Sequence, residues 1–332
     1  MNKQKIVRLF RTYMLIIAIS AGFFIFLAFH NIKSLTPLKP FAWFIATDGL
    51  PILIFVMLFC AFCKVKIKDM KPKPWHFYII AIQVLIVFIF ALFIAFNKDS
   101  SYKIPIEGII ICFITPTAAS AAVLAGKLGG NESSLTSFIL LNNIASAIAI
   151  PLVFPIFCEV DKGSFLVQFL ILAKRVFPVI VLPLFLAFFV RKFLKKFHNF
   201  IITNCKDLGL YLWVICLTVV SSRTFANIIN SNENTNLLWG LALVGLLCTV
   251  FQFLFGKFIG SFSGQRVTAG QAMGQKNMVF GLWVSLIYLT PSAAIAPGCY
   301  ILWQNLVNAY QMWYREHKLK EWENQGKEPY QE

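Results

Sequence analysis

Long apolar runs separated by short polar connectors dominate this chain, and they fall near residues 10–30, 42–63, 77–96, 105–127, 134–157, 164–190, 207–229, 237–258, 264–289 and 292–314. Most approach the ~20 residues that cross the hydrocarbon of a bilayer as a helix, and the weak apolar/polar alternation of barrel strands is missing. The pattern predicts an all-α membrane protein with ten transmembrane helices. The first run follows Lys3, Lys5, Arg8 and Arg11 but carries no A-x-A-like cleavage site, so it reads as a retained helix and not a signal peptide. The sixth is compound. GSFLVQFLILAKR brings Lys174 and Arg175 ahead of the proline-punctuated VFPVIVLPLFLAFFV, which reads as an interfacial helix leading into a short crossing one.

Composition agrees: 58% of the 332 residues are hydrophobic and 13% charged, against about 25% charged in a soluble domain. The net charge of +16 does not imply a nucleic acid partner, because the Lys and Arg sit in the connectors and report topology. With the N-terminus inside, 21 of them fall on the cytoplasmic side and 7 opposite, leaving Arg223 and Lys276 within spans. This places the protein in the cell (inner) membrane as a multi-pass chain with both termini cytoplasmic. Snorkelling accounts for Arg223, a turn or two from the end of the seventh span. Cys60 and Cys63 form a C-x-x-C without a second ligand pair, so no metal and no cofactor are assigned.

Compared with itself, the chain matches ILLNNIASA at 139–147 with ILWQNLVNA at 301–309, an offset of 162, about half its length. Five helices per half is an odd number, so the copies are inverted in the membrane. The division is a first five-helix repeat at 1–160, a second, inverted repeat at 161–314, and a cytoplasmic tail at 315–332 read as a frayed helix. The match aligns Asn143 with Asn305; Asn142, Asn143, Gln304 and Asn305 serve equally well as interhelical glue or as ligand contacts.

Just before each matched stretch a span is interrupted. Thr115, Pro116, Thr117 and Ser120 lie in TPTAAS of the fourth span, and AMGQKN interrupts the ninth, loosened by Gly270 and Gly274. Paired breaks in corresponding spans point to a transporter binding site, since free backbone groups at bilayer depth are tolerated only in a polar cavity. Lys276 stands there with Gln271, Gln275 and Asn277. A protonated lysine at the bilayer centre costs roughly 2.5–3.5 kcal/mol on insertion scales unless a cavity or partner receives it. The positive N-terminal ends of two half-helices, joined by Lys276, would attract an anion.

Together these residues resemble the bile acid:sodium symporter family, over most of the chain but through short motifs. Pro297-Gly298 ahead of Trp303-Gln304-Asn305 is similar to the family's Pro-Gly turn and Trp-His-Asn. Its Cys-Pro-Gly-Gly-Thr-Ala-Ser-Asn aligns on Thr115 to Ala122 and continues to Gly130-Asn131; Lys257 and Arg266 also fit. The resemblance implies broken fourth and ninth helices that cross, a core domain holding them with helices three, five, eight and ten, and a panel domain of the other four.

The departures concern sodium. The family's Ser-Asn, which supplies oxygens to one sodium, falls on Ala121-Ala122, whose methyl groups cannot coordinate a hard cation. Its ninth-helix Glu-Val-Gly-Met-Gln-Asn has no carboxylate here. Anchored on Gly274 the glutamate falls on Ala272 and the glutamine on Lys276; anchored on Arg266 they fall on Gln271 and Gln275. Gln83 corresponds to a family sodium ligand. The reading is a secondary transporter of an organic anion, bile-acid-like or a small carboxylate, with degenerate sodium sites and Lys276 standing in for a bound cation. Lys276 either exchanges a proton and couples transport to protons, or stays charged and pairs with the substrate. Two alternatives stand beside this one. A cation/proton antiporter would want carboxylates at the crossing, and Asp48 and Glu107 are predicted near helix ends; a non-transporting sensor or scaffold would have kept the fold alone. An enzyme is not indicated, because His30, His76, His198 and His317 are all predicted at or beyond helix ends.

Overall fold

The computed structural model describes residues 3–65, 70–158, 163–205, 207–230, 233–325 and 331–332, with side chains from residue 14 onward. The side chains of Lys3, Lys5, Arg8, Arg11, Lys66, Lys68, Lys162, Lys206 and Lys327, which enter the charge count above, lie outside the described residues.

Among the described residues the secondary structure is helical, with one isolated antiparallel bridge. Helix α1 covers Lys3–Asn31. A 3₁₀ turn at Lys33–Leu38, α2 at Lys39–Phe44 and a π-helical turn at Ile45–Gly49 lead into α3, Leu50–Cys63. Then come α4 (Pro74–Phe96), α5 (Lys103–Ile114), α6 (Ser120–Lys127), α7 (Glu132–Phe157), α8 (Phe165–Ile180), α9 (Leu182–Phe193) and α10 (Lys195–Asn204). The chain finishes with α11 (Leu208–Asn230), α12 (Thr235–Ser261), α13 (Arg266–Gly274), α14 (Met278–Tyr288), a 3₁₀ turn at Pro291–Ala294, and α15 (Ile295–Asn324).

Among the described residues, seven stretches are long and apolar enough to cross a bilayer: Met14–Asn31, Lys33–Cys63, Pro74–Phe96, Glu132–Phe157, Phe165–Phe193, Leu208–Asn230 and Thr235–Ser261. The other three predicted spans fall on α5 with α6, on α13 with α14, and on α15. Two of these are pairs of half-helices, each half too short to cross alone. Helix α15 continues without a break past residue 315, so the first part of the predicted tail is the end of that helix.

The sixth span differs from expectation. Helices α8 and α9 meet at Val181 between Pro178 and Pro183, and Leu172, Val176 and Val179 of α8 are buried against its neighbours α7 and α3. The pair runs on as one bent apolar stretch of 29 residues, long enough to cross a bilayer. Helix α10, which opens on Lys195 and Lys196 and buries Ile201, is amphipathic as well.

Packing sorts the elements into two groups. Helices α4, α5, α6, α7, α12, α13, α14 and α15 pack on one another, while α1, α3, α8, α9, α10 and α11 form a second set. The sets meet through α7 on α8, and through α14, α15 and the Pro291–Ala294 turn on α11, α3 and the π-helical turn. At the opposite end, Gln265 ties α13 to the first set: its Oε1 accepts from Trp75 Nε1 and from Ser134 Oγ, both at 2.8 Å. Asn131 caps α7 by accepting from Ser134 N at 2.8 Å. The Glu332 carboxylate caps α13, accepting from the amides of Val267 and Thr268 and from the Thr268 hydroxyl.

Gly270 lies inside α13, while Gly274 is its last residue, at the break itself. Their role is close approach. A β-carbon on Gly270 would fall 2.6 Å from Lys257 Cγ, and one on Gly274 would enter the Phe253 ring, so α13 rests directly on α12. Gly256 of α12 is the reciprocal contact, with its hypothetical β-carbon 2.5 Å from Ala269 O. Gly256→Ala should therefore lower the thermal midpoint of the micelle-solubilised protein, at a cost of about 1–3 kcal/mol. Gly240→Ala, where nothing lies within 4 Å, should leave it unchanged or raise it.

Candidate functional site

Helix α5 stops at Ile114 and α6 begins at Ser120; α13 stops at Gly274 and α14 begins at Met278. The two unwound linkers run antiparallel. Asn277 N donates to Pro116 O at 2.8 Å and Ala118 N to Gln275 O at 2.9 Å, which sets Thr117 opposite Lys276. Each break frees carbonyls that a continued helix would have satisfied four residues on, and each of those with a partner is met from a different element.

Cys112 O loses its donor because Pro116 has no N–H, and Gln252 Nε2 of α12 donates to it at 3.2 Å. Phe113 O and Thr115 O lose theirs because the helix has ended. Lys276 Nζ donates to both, at 3.2 and 3.0 Å. On the other side Ala272 O accepts from the Thr117 hydroxyl at 2.6 Å, and Gly274 O from the Tyr300 hydroxyl at 2.8 Å. The amide and carbonyl of Lys276 are held by the Gln304 side chain, at 3.0 and 3.4 Å. Lys276 is 1% exposed. Its charge lies at the C-terminal end of α5, the negative end of that helix's dipole. The ammonium thus faces carbonyls, not the N-terminal ends of α6 and α14 as the sequence suggested.

Of the other candidate residues, Asn142 reaches the crossing and donates from Nδ2 to Thr117 Oγ1 at 2.9 Å. Asn143 and Asn305 turn back on their own helices, bonding Ile139 O and Ile301 O, each at 2.7 Å. Adding the sequence offset of 162 to Asn142 gives Gln304, so these two face the two unwound linkers. Gln275 and Gln271 are both tied to Asn308 of α15: Asn308 Nδ2 donates to Gln275 Oε1, and Gln271 Nε2 donates to Asn308 Oδ1 at 3.0 Å. Thr115 is buried with its hydroxyl bonded to Ile111 O at 2.6 Å. Pro116 is buried, while Ser120 is exposed at the first residue of α6, away from this hydrogen-bonded set. Asn277 is buried and precedes α14, whose start has no side-chain cap; neither does the start of α6.

Gln83 lies behind the end of α5 and shares with Asn142, Phe113 and Ser146 a cavity of about 10 Å³, enough for one water at most. Ala121, Ala122 and Ala272 are buried and present methyl groups. The converging carbonyls of Phe113 and Thr115 are engaged by Lys276, and these three alanines offer no oxygen to a hard cation. Sequence reasoning missed Gln252, Tyr300 and Asn308. Asn308 lies within the self-matching stretch opposite Ser146, and that alignment was the one signal available for it.

A model of the Sodium Bile acid symporter family matches residues 51–231, from α3 through α11. That interval contains the first break and ends before the second. A Bacillus subtilis (strain 168) protein, the uncharacterized sodium-dependent transporter YocS, is 21% identical over 265 residues, covering 76% of this chain and 77% of its own length.

Thr117→Val removes one hydroxyl from two buried partners, Ala272 O and Asn142 Nδ2, and should cost about 1–3 kcal/mol. Thr136→Val, at an exposed helix position, should stay within about 0.5 kcal/mol. Denaturant unfolding in micelles distinguishes the two.

Proposed function

The chain belongs to the sodium bile acid symporter family, and on that premise we propose that it is a secondary active transporter of an organic anion, bile-acid-like or a small carboxylate, in which Lys276 takes the place of a bound cation. It is a multi-pass membrane protein. In this reading ten helices form two inverted five-helix repeats, residues 1–160 and 161–314, with both termini cytoplasmic in the inner membrane. Helices α4 to α7 and α12 to α15 make the core domain, and the second packing group the panel.

The observation that carries the proposal is the Lys276 ammonium on Phe113 O and Thr115 O. Freed carbonyls of an unwound helix are what transporters use to hold a coupling ion, and here the chain supplies the cation itself. The charge complements the C-terminal dipole of α5 and is held by backbone. Exchange of its proton is the candidate coupling step. The substrate anion is left to the uncapped N-terminal ends of α6 and α14, beside Ser120 and Asn277, where free amides and a positive dipole favour it.

Alternating access needs a seam that opens at one end at a time. The contacts between the two groups run through α14, α15, α7 and the Pro291–Ala294 turn. With cytoplasmic termini, the side of the seam formed by the Pro291–Ala294 turn would be the external end, and in this reading it is the closed one.

The test is thermal stabilisation of the purified protein by cholate or succinate, each in sodium or choline chloride, for wild type and Lys276→Ala. Wild type should be stabilised equally in both salts, by about 2.7 kcal/mol at a hundred times Kd, and the variant should lose most of the effect. Stabilisation that requires sodium and survives in Lys276→Ala would overturn the proposal.

A further inference from the structure

Arg223 is the charged group in the spans that the crossing does not use. It lies seven residues before the end of α11 at Asn230, about 10 Å along the helix. Its guanidinium carbon sits 3.9 Å from the centroid of the Trp43 ring. The guanidinium thus rests over an indole and is half-buried. A guanidinium has five N–H donors. Among the described residues none of them meets a hydrogen-bond acceptor or an ion-pair partner. No hydrogen bond or ion pair joins it to Asp48, whose carboxylate accepts from the Thr47 hydroxyl at 2.7 Å.

The surroundings place this group at the seam between core and panel. One residue on, the Thr224 methyl packs at Gly298 of α15. One turn on, Asn227 Nδ2 donates to Pro291 O at 3.1 Å. From α14, Trp283 Nε1 donates to Thr47 O at 2.9 Å, within the π-helical turn that follows Trp43. Two hydrogen bonds between core and panel therefore close the seam beside Arg223. A π-helical turn inserted here fits a functional position, since such turns concentrate at sites and expose a carbonyl.

We propose that Arg223, backed by Trp43, is an anion-recognition site at the external end of the seam, taking the carboxylate or sulfonate of the transported anion before it reaches the crossing. This rests on the organic-anion reading above. Trp43 backs the guanidinium while its N–H donors, unengaged among the described residues, can meet a bidentate oxyanion, a geometry for which arginine is suited and lysine is not. A phospholipid headgroup offers the same oxyanion chemistry, so the source must be separated by experiment.

The test measures phenylglyoxal modification of Arg223 by peptide mass spectrometry, in dodecyl maltoside and phosphate-free buffer, referenced to Arg315. Submicellar cholate should slow modification by about tenfold or more, the equivalent of one charge-assisted contact, and its uncharged methyl ester should not. Lys276→Ala should show the same protection, which keeps this result independent of the crossing. Protection by phosphatidylglycerol with none by cholate assigns the group to lipid and overturns the proposal, as does no protection by either. In proteoliposomes, Arg223→Gln should raise KM about tenfold for anion presented at the external face and leave KM at the other face unchanged, with Arg223→Lys between them. Equal changes at both faces would mark a merely structural role. A wild type that transports no anion would sink the function proposed above, while the protection result would still decide the site.

Discussion

A backbone that unwinds at bilayer depth must find a partner for each polar group it frees, because hydrocarbon offers none. That constraint organises the centre of this protein. Two helices break, the linkers exchange two backbone hydrogen bonds, and the remaining carbonyls recruit side chains from three other helices: Gln252 from α12, Asn142 through Thr117 from α7, and Tyr300 and Gln304 from α15. Lys276 completes the set with a charge. A bare lysine here would be costly, and two bare carbonyls would also be costly. Placed together, each relieves the other.

The same accounting explains why the core packs so closely. For Gln304 and Tyr300 to reach the α13 linker, and Gln252 the end of α5, helices α12, α13 and α15 must approach within the reach of one side chain. The glycines at 256, 270 and 274 remove the β-carbons that would keep α12 and α13 apart. Small residues that serve backbone proximity in the membrane therefore position polar groups as well.

Much of this was legible in the sequence, and what was not has a physical reason. The apolar spans and the two interruptions show in composition alone, because proline and a cluster of amides with lysine stand out against hydrocarbon-facing residues. The self-match at 139–147 and 301–309 pointed to these helices but left Asn142, Asn143, Gln304 and Asn305 on an equal footing. Neighbours in sequence point about 100° apart on a helix, so separating Asn142 and Gln304 from Asn143 and Asn305 needed a phase that only packing supplies. Gly270 and Gly274 were read as weak points, since propensity sees the cost of glycine and not the neighbour it admits. Tyr300 and Gln252 carry no local signal; their partners, Gly274 O and Cys112 O, lie 26 and 140 residues away. Helix α10 was hidden because a basic connector and a short amphipathic helix have the same composition.

The central claim is that the chain carries its own cation where relatives of this family would hold one from solution. Entry of radioactive sodium into proteoliposomes, with and without a saturating organic anion outside, tests it most directly. The account predicts that the anion enters and leaves the sodium flux at its background rate. Sodium entering in step with the anion would contradict it, and would return Lys276 to the role of a structural partner for two carbonyls.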